Sequence, residues 1–300
     1  MSAVVILLFR SSIAIMTPLL LAAMGGLFTE LSGMLNIALE GLMLMGAFSS
    51  IVFTYATGNM LYGIVLGIVS TVLLAALLGV ITLYLKSNVF ITGLATNLFA
   101  SGLTVVLSFK LFNNKGVVVF PELGNLPQVD IPLLRVIPGI STLLNGHHLL
   151  VYVSWILLAC CAWLLYRTPF GFRLRAAGLH EETLVSLGLS PARYRFIAFL
   201  ISGFTCALAG AILTLNLGAF VPNITSGKGW IALVVIFLGR KRPFGLLFAA
   251  FIFGFADAFS NYAQGAWDIP ADFILTIPYV FTLIAMIMLS IYTSRKSRFE

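Results

Sequence analysis

The stretch Arg167–Arg195, RTPFGFRLRAAGLHEETLVSLGLSPARYR, is a long arginine-rich run that cannot sit in lipid. It holds five of the 17 Lys and Arg residues and two of the 10 Asp and Glu residues. An apolar run ends just before it at Tyr166, and another begins just after it at Phe196. Its interior carries one short helix signal. Gly178 and Leu179 lead into His180, Glu181 and Glu182, with the carboxylates where they suit the positive end of a helix dipole. Gly188 and Pro191 supply a C-terminal cap and a stop. Leu184, Val185 and Leu187 give the segment an apolar side. The chain therefore crosses a membrane, presents a short helix framed by arginines on the cytoplasmic side, and re-enters. A positively charged loop that only sets topology has the same composition, so the surroundings must decide.

Those surroundings are apolar. The chain is 60% hydrophobic and 9% charged, whereas soluble domains average about 25% charged residues. The fold class is all-α: a polytopic bundle of eight or nine spans, forming a single integral membrane domain over residues 1–300. Its net charge of +7 lies mainly in short loops beside apolar runs, where it sets orientation. No basic patch interleaved with aromatics occurs, so nucleic acid is not an expected partner; membrane lipid is. Cys160, Cys161 and Cys206 fall within apolar spans with no CxxC pair, and neither a metal nor a redox role is expected of them. Arg10 followed by an apolar run imitates a signal peptide but lacks a small-x-small cleavage site, so this stretch reads as the first span.

A span needs about 20 apolar residues. Candidates are Ser11–Leu31, Gly33–Ala56, Leu61–Leu85, Phe90–Phe112, Leu149–Tyr166, Phe196–Leu217, Phe244–Ser260 and Phe273–Ile291. Gly229–Gly239 is apolar but short, either a buried half-helix or a crossing completed by its neighbours. The basic clusters at Arg167–Arg195, Arg240–Arg242 and Arg295–Arg298 belong on the cytoplasmic side. That requires nine passages, with the N-terminus outside and the C-terminus inside. Lys86 then sits in a tight cytoplasmic turn, while Lys110, Lys115 and Arg135 fall outside.

The external loop 113–148 carries Pro121, Pro127, Pro132 and Pro138 with Asn-Asn and Asn-Gly pairs, so it reads as loop, with Val117–Phe120 as a short extended piece. His147 and His148 at its end lack metal-binding spacing and read as interfacial. Ser32-Gly33-x-x-x-Ile37-Ala38-Leu39 recurs as Ser226-Gly227-x-x-x-Ile231-Ala232-Leu233. The two copies run in opposite directions through the membrane, as in the inverted repeats of many transporters.

Buried charge is costly in lipid, so each intramembrane acid needs a reason. Glu40 lies inside its span, with Asn36 four residues earlier on the expected helix face. The pair either lines a substrate pathway or locks helices together. Thr92, Thr96, Asn97 and Ser101 make the fourth span polar, and Asn216 at the outer end of the sixth is a further pathway candidate. Gly203, Ala207 and Ala211 form a small-xxx-small contact stripe. Glu30 and Asp257, near span ends, are expected to reach water. GxxxxGK[ST], HExxH and GxSxG are all absent. Ser226-Gly227-Lys228-Gly229 lacks the phosphate-loop spacing and is placed on the outer side.

Three stretches carry a resemblance: NIALEGLMLMGAF (36–48), TPFGFRLRAAGLHEETLVSLGLSPARYRFIAFLISGFTCALAGAIL (168–213) and SGKGWIALVVIFLGRKRPFGLLFAAFIFGF (226–255). Together they resemble the permease subunits of bacterial ABC importers for branched-chain amino acids, ribose-type sugars and nucleosides. PLLLAAMGGLFTELSGMLNIALEGLMLMGAF and NITSGKGWIALVVIFLGRKRPFG look most like the nucleoside members. The resemblance implies a non-enzymatic permease in the bacterial cytoplasmic (inner) membrane, with no catalytic residue and no cofactor of its own. ATP would be bound by a partner ABC ATPase subunit. A second homologous permease subunit and an external substrate-binding lipoprotein complete the implied complex. Gly178–Gly188 would be the coupling helix, with Leu184 and Leu187 as its anchors in the ATPase. Asn36, Glu40, Thr96, Asn97 and Asn216 would line the pathway. Two alternatives stay open: a simple sugar or branched-chain amino acid as substrate, and an ion-coupled secondary carrier using Glu40.

Overall fold

Apolar runs of this length must satisfy their backbone polar groups internally, and helices do so. The computed structural model describes residues 3–124, 126–132 and 138–266, together with 276, 280, 283, 284 and 287. Within them seven helices are long and apolar enough to cross a membrane. These are α1 (Ala3–Leu31), α2 (Leu39–Thr57), α3 (Met60–Leu83), α4 (Val89–Phe112), α6 (Leu149–Arg167), α9 (Pro191–Leu217) and α11 (Pro243–Ala266). The chain is a multi-pass all-α membrane protein. The eighth expected span, Phe273–Ile291, and the basic cluster Arg295–Arg298 lie outside the described residues.

Local chemistry sets the helix ends. Asn59 and Asn88 cap α3 and α4, their side-chain oxygens accepting the Leu61 and Phe90 amides at 2.9 Å. Pro169 and Pro191 open α7 (Pro169–Leu179) and α9 at the first helical positions, where a missing N–H costs nothing. Pro191 thus starts the next span, which begins five residues before the expected Phe196.

The centre of the bundle is α2 against α9, flanked by α3 and α1, with α11 on α1 and α4 on α2. Small residues permit this. A Cβ on Gly46 would lie 2.6 Å from the Ala207 Cα, and one on Gly210 would lie 2.1 Å from the Met43 carbonyl oxygen. Gly203 packs on Val72 and Ala75 of α3. The stripe Gly203, Ala207, Ala211 is therefore a close-packed helix contact, the kind that holds bundles together in lipid.

Two segments depart from simple spans. Ser32–Ala38 is irregular, so the second span begins at Leu39 rather than Gly33. Gly33 takes φ +84°, and the Asn36 side chain accepts the Ala38 amide at 3.0 Å, a local turn that competes with helix. The short apolar run forms α10 (Lys228–Leu238). At 1.5 Å per residue it is about 16 Å long, half of a ~30 Å hydrocarbon core. It is reached through consecutive turns after the strand β4 (Ala219–Phe220).

In the loop after α4, β1 (Val118–Val119) realises the expected extended piece and pairs antiparallel with β4. Other described parts of that loop are more regular than its prolines suggest. β2 (Gln128–Val129) pairs with β3 (His147–His148), and α5 (Pro138–Leu144) is helical where only loop was expected.

Candidate functional site

The stretch 167–195 folds as two helices, not one. α7 runs to Leu179, His180 forms the corner, and α8 covers Glu181–Ser186. Gly178 and Leu179 therefore end the first helix instead of opening the second. Gly188 follows α8 at φ +72°, as its role as a terminator requires. Leu184 is 2% exposed and packs inside this chain, so it is not free to anchor a partner. Leu187 lies past the last helical residue and is 70% exposed; Leu179 and Val185 are 75% and 59% exposed. The exposed large apolar side chains of the pair are Leu179, Val185 and Leu187.

Arg195 fastens this pair to the membrane bundle. Its guanidinium donates to the carbonyl oxygens of Ala177 at 2.9 Å and Ser32 at 3.2 Å, and to Glu181 Oε2 at 2.8 Å. Three acceptors on three segments are what a rigid guanidinium fork can serve and an ammonium cannot. Beside it, Gly178 and Gly33 touch backbone to backbone. A Cβ on Gly178 would sit 2.3 Å from the Leu31 carbonyl oxygen and 2.8 Å from the Gly33 nitrogen. The α7–α8 pair is thus bolted to the start of the irregular Ser32–Ala38 linker.

The other end of that linker leads to Glu40, in the first turn of α2 and 9% exposed. Its Oε1 accepts the Thr225 hydroxyl at 2.5 Å and the Gly227 amide at 2.8 Å, and its Oε2 accepts the Gly229 amide at 2.7 Å. The carboxylate therefore sits at the positive end of α10 and satisfies amides that the helix itself leaves open. Within Ser226–Gly229, the Gly227 and Gly229 amides pack on this buried acid. Lys228 in the same turn lies 3.8 Å from Asp257 of α11, so Asp257 is ion-paired as well as partly exposed.

Asn36 precedes α2 and does not share a helix face with Glu40. It is 1% exposed and donates to Ser202 Oγ of α9 at 2.9 Å. Asn97 donates to the Ile37 carbonyl at 3.0 Å and accepts the Gly41 amide at 2.8 Å, clamping α4 to the start of α2. Thr96 bonds back to the Thr92 carbonyl and borders a shallow apolar groove between α3 and α4. Asn216 is exposed near the far end of α9, apart from the others. Asn36, Glu40 and Asn97 are therefore brought together around one joint, as internal ties; Thr96 and Asn216 are not. Glu30, expected in water, is 13% exposed and paired with Lys241 at 2.6 Å.

Sequence reading missed Thr225, Gly227, Gly229, Ser202 and Arg195. The recurring Ser-Gly motif was the available signal for the first three, since Gly33 and Gly227 both take left-handed backbone, at φ +84° and +80°.

His147 and His148, just before α6, are buried, 4% and 9% exposed. A His147 ring nitrogen lies 2.9 Å from the Leu143 carbonyl oxygen. Burial pushes the His147 imidazole below its ordinary range; the Leu143 carbonyl opposes this and the nearby Arg10 charge adds to it. Burial, then the neighbouring His147, lowers His148 too. Arg10 itself donates to the Gly146 carbonyl at 2.9 Å.

Known proteins resemble this chain. The nucleoside ABC transporter permease protein NupC of Lactococcus lactis is 32% identical over 281 residues, 90% of this chain and 88% of that protein. The guanosine ABC transporter permease protein NupQ of Bacillus subtilis is 31% identical over 280 residues, 90% of this chain and 87% of its own length. A solved structure of an inward-facing metal-chelate type ABC transporter aligns over 92% of this chain and 85% of that one, with TM-score 0.53 and 18% identity, which speaks to fold alone. The family model for the permease component of branched-chain amino acid transport systems matches residues 8–292, and the chain belongs to that family.

Proposed function

We propose that this chain is the membrane-spanning permease subunit of an ATP-driven ABC importer for nucleosides in a bacterial cytoplasmic membrane. The observation that carries the reading is the α7–α8 helix pair: it exposes Leu179, Val185 and Leu187 and is stapled by Arg195 to the linker that leads to Glu40. Leu179, Val185 and Leu187 offer an ATPase subunit desolvated contacts, and Glu181 and Glu182 offer charge to its basic groups. His180, at the corner, sets the angle between the two helices.

Movement of the pair would pull on the Ser32–Gly33 end of the linker through Arg195 and Gly178. The linker would pass that displacement to the joint of Glu40 with α10. The chain needs no catalytic residue and no cofactor for this, because hydrolysis occurs on the nucleotide-binding subunit. A second permease subunit would complete the pathway, and an external binding lipoprotein would deliver substrate.

The nucleoside assignment rests on the two permeases named for nucleoside and guanosine transport that align over 90% of the chain. Three protein donors already satisfy Glu40, which supports a structural carboxylate over an ion-coupling one. The test is competition. Uptake of labelled guanosine by cells carrying the transporter should be suppressed by excess unlabelled nucleosides and not by ribose, glucose or leucine. Suppression by a sugar or by leucine alone assigns a different substrate.

A further inference from the structure

Where α6 ends and α11 begins, a groove of 560 Å3 opens between Tyr166, Arg242, Phe244 and Phe248. Its apolar floor continues along α11. Phe244, Phe248, Ile252 and Phe255 follow at helical spacing and are 63%, 69%, 42% and 36% exposed. At 1.5 Å per residue this stripe is about 16 Å long, the depth of one leaflet of a ~30 Å hydrocarbon core.

The rim of the groove is cationic. Arg242 is exposed and meets no carboxylate among the described residues. The Arg175 guanidinium lies over the Tyr166 ring at 4.9 Å and over the Phe172 ring at 5.1 Å, and it too has no carboxylate partner among the described residues. Tyr166 lines the groove beside Arg242 and carries the Arg175 guanidinium on its ring, and Arg175 Nε also donates to the Gly171 carbonyl at 3.4 Å. Arginine forks match phosphate oxygens in a bidentate way, and stacking on aromatic faces holds them in place. A cationic rim leading directly onto an apolar helix face complements a phospholipid, whose charged head and apolar tail are joined in that order.

We propose that this groove binds an anionic phospholipid of the cytoplasmic leaflet. Arg242 and Arg175 hold its phosphate, and an acyl chain lies along Phe244, Phe248, Ile252 and Phe255. A zwitterionic lipid offers the same phosphate but sets an ammonium group against the two guanidiniums, so the site prefers a net negative head.

The test uses the full chain purified in mild detergent with the subunits that accompany it, stripped of lipid. It is titrated with phosphatidylglycerol or phosphatidylcholine of matched acyl chains while bound lipid is counted by native mass spectrometry. The first phosphatidylglycerol should bind about tenfold more tightly than phosphatidylcholine. Arg175→Gln with Arg242→Gln should bring the two lipids within about twofold of each other. Lys86→Gln with Arg193→Gln, exposed basic residues away from the groove, should leave the preference intact. Equal affinities in the wild type, or a preference that survives the groove substitutions, overturns the site. If the groove variant does not fold, a phosphatidylglycerol with a photoreactive acyl chain decides on the wild type. Cross-links should fall on Phe244–Phe255; cross-links confined elsewhere, or capture of an accompanying subunit by Phe248→Cys, contradict it.

Discussion

Glu40 and Gly229, 189 residues apart in sequence, meet directly: the Gly229 amide donates to Glu40 Oε2 at 2.7 Å. A Cβ at position 229 would lie 2.4 Å from the Glu40 nitrogen, so no larger residue fits without moving α2 from α10. The carboxylate and the glycine are two halves of one joint. Glu40→Ala would leave the Thr225 hydroxyl and two amides without partners, at about 1–3 kcal/mol for each group that stays buried and unpaired. Glu40→Ala and Gly229→Ala are expected to lower the unfolding midpoint of the detergent-purified protein, with Glu40→Gln between them and the wild type. An unchanged midpoint for Glu40→Ala would show that the joint is not structural.

Glu40 was legible as a residue needing a reason, but its partners were not. Periodicity reports neighbours three and four residues away, and Thr225 and Gly229 come from the other end of the chain. The same limit explains Asn36. Its spacing from Glu40 suggested one helix face, yet its side chain turns onto the Ala38 amide and the helix starts only at Leu39. A short polar side chain beside an apolar run is itself a turn signal, and that signal outranked the spacing. The spans were readable because lipid leaves few alternatives to helix. The ends shifted where a proline or asparagine, rather than hydropathy, set the boundary.

Leu184 and Leu187 separate packing from docking. Leu184 is 2% exposed and Leu187 is 70% exposed. Leu184→Ala removes a buried side chain, a change that costs about 2–5 kcal/mol in well-packed cores. It should loosen the helix pair, seen as faster proteolysis between Arg167 and Arg195 in the isolated permease. Leu187→Ala should leave proteolysis unchanged and lower recovery of the ATPase subunit in pull-downs. The reverse pattern would return Leu184 to the docking surface.

Arg195→Lys keeps a charge but cannot reach Ser32, Ala177 and Glu181 together. The expected result is an assembled complex that still hydrolyses ATP but moves fewer substrate molecules per ATP. Uptake and hydrolysis falling in equal proportion would place Arg195 in assembly rather than transmission.

His147 and His148 give a pH dependence with a definite sign. Their folded values lie below the ordinary ~6.5, so the unfolded segment binds more protons between the two values. Their contribution to stability is complete above about pH 6.5 and is lost as pH falls through the lowered folded values. Hydrogen exchange at Gly146–Leu150, corrected for the intrinsic rate, should quicken at acidic pH. Slower exchange in acid would reverse the assignment.

The most direct test of ATP-driven transport through the cytoplasmic helix pair is labelled guanosine uptake into vesicles holding the reconstituted complex. It compares wild type with Leu179→Ala, Val185→Ala and Leu187→Ala combined, with and without internal or external ATP at the nucleotide-binding face. The account predicts uptake that requires ATP, survives collapse of ion gradients, and is lost in the triple variant while the permease stays folded in the membrane. Uptake that proceeds without ATP and stops when ion gradients collapse, unaffected by the triple substitution, would contradict it.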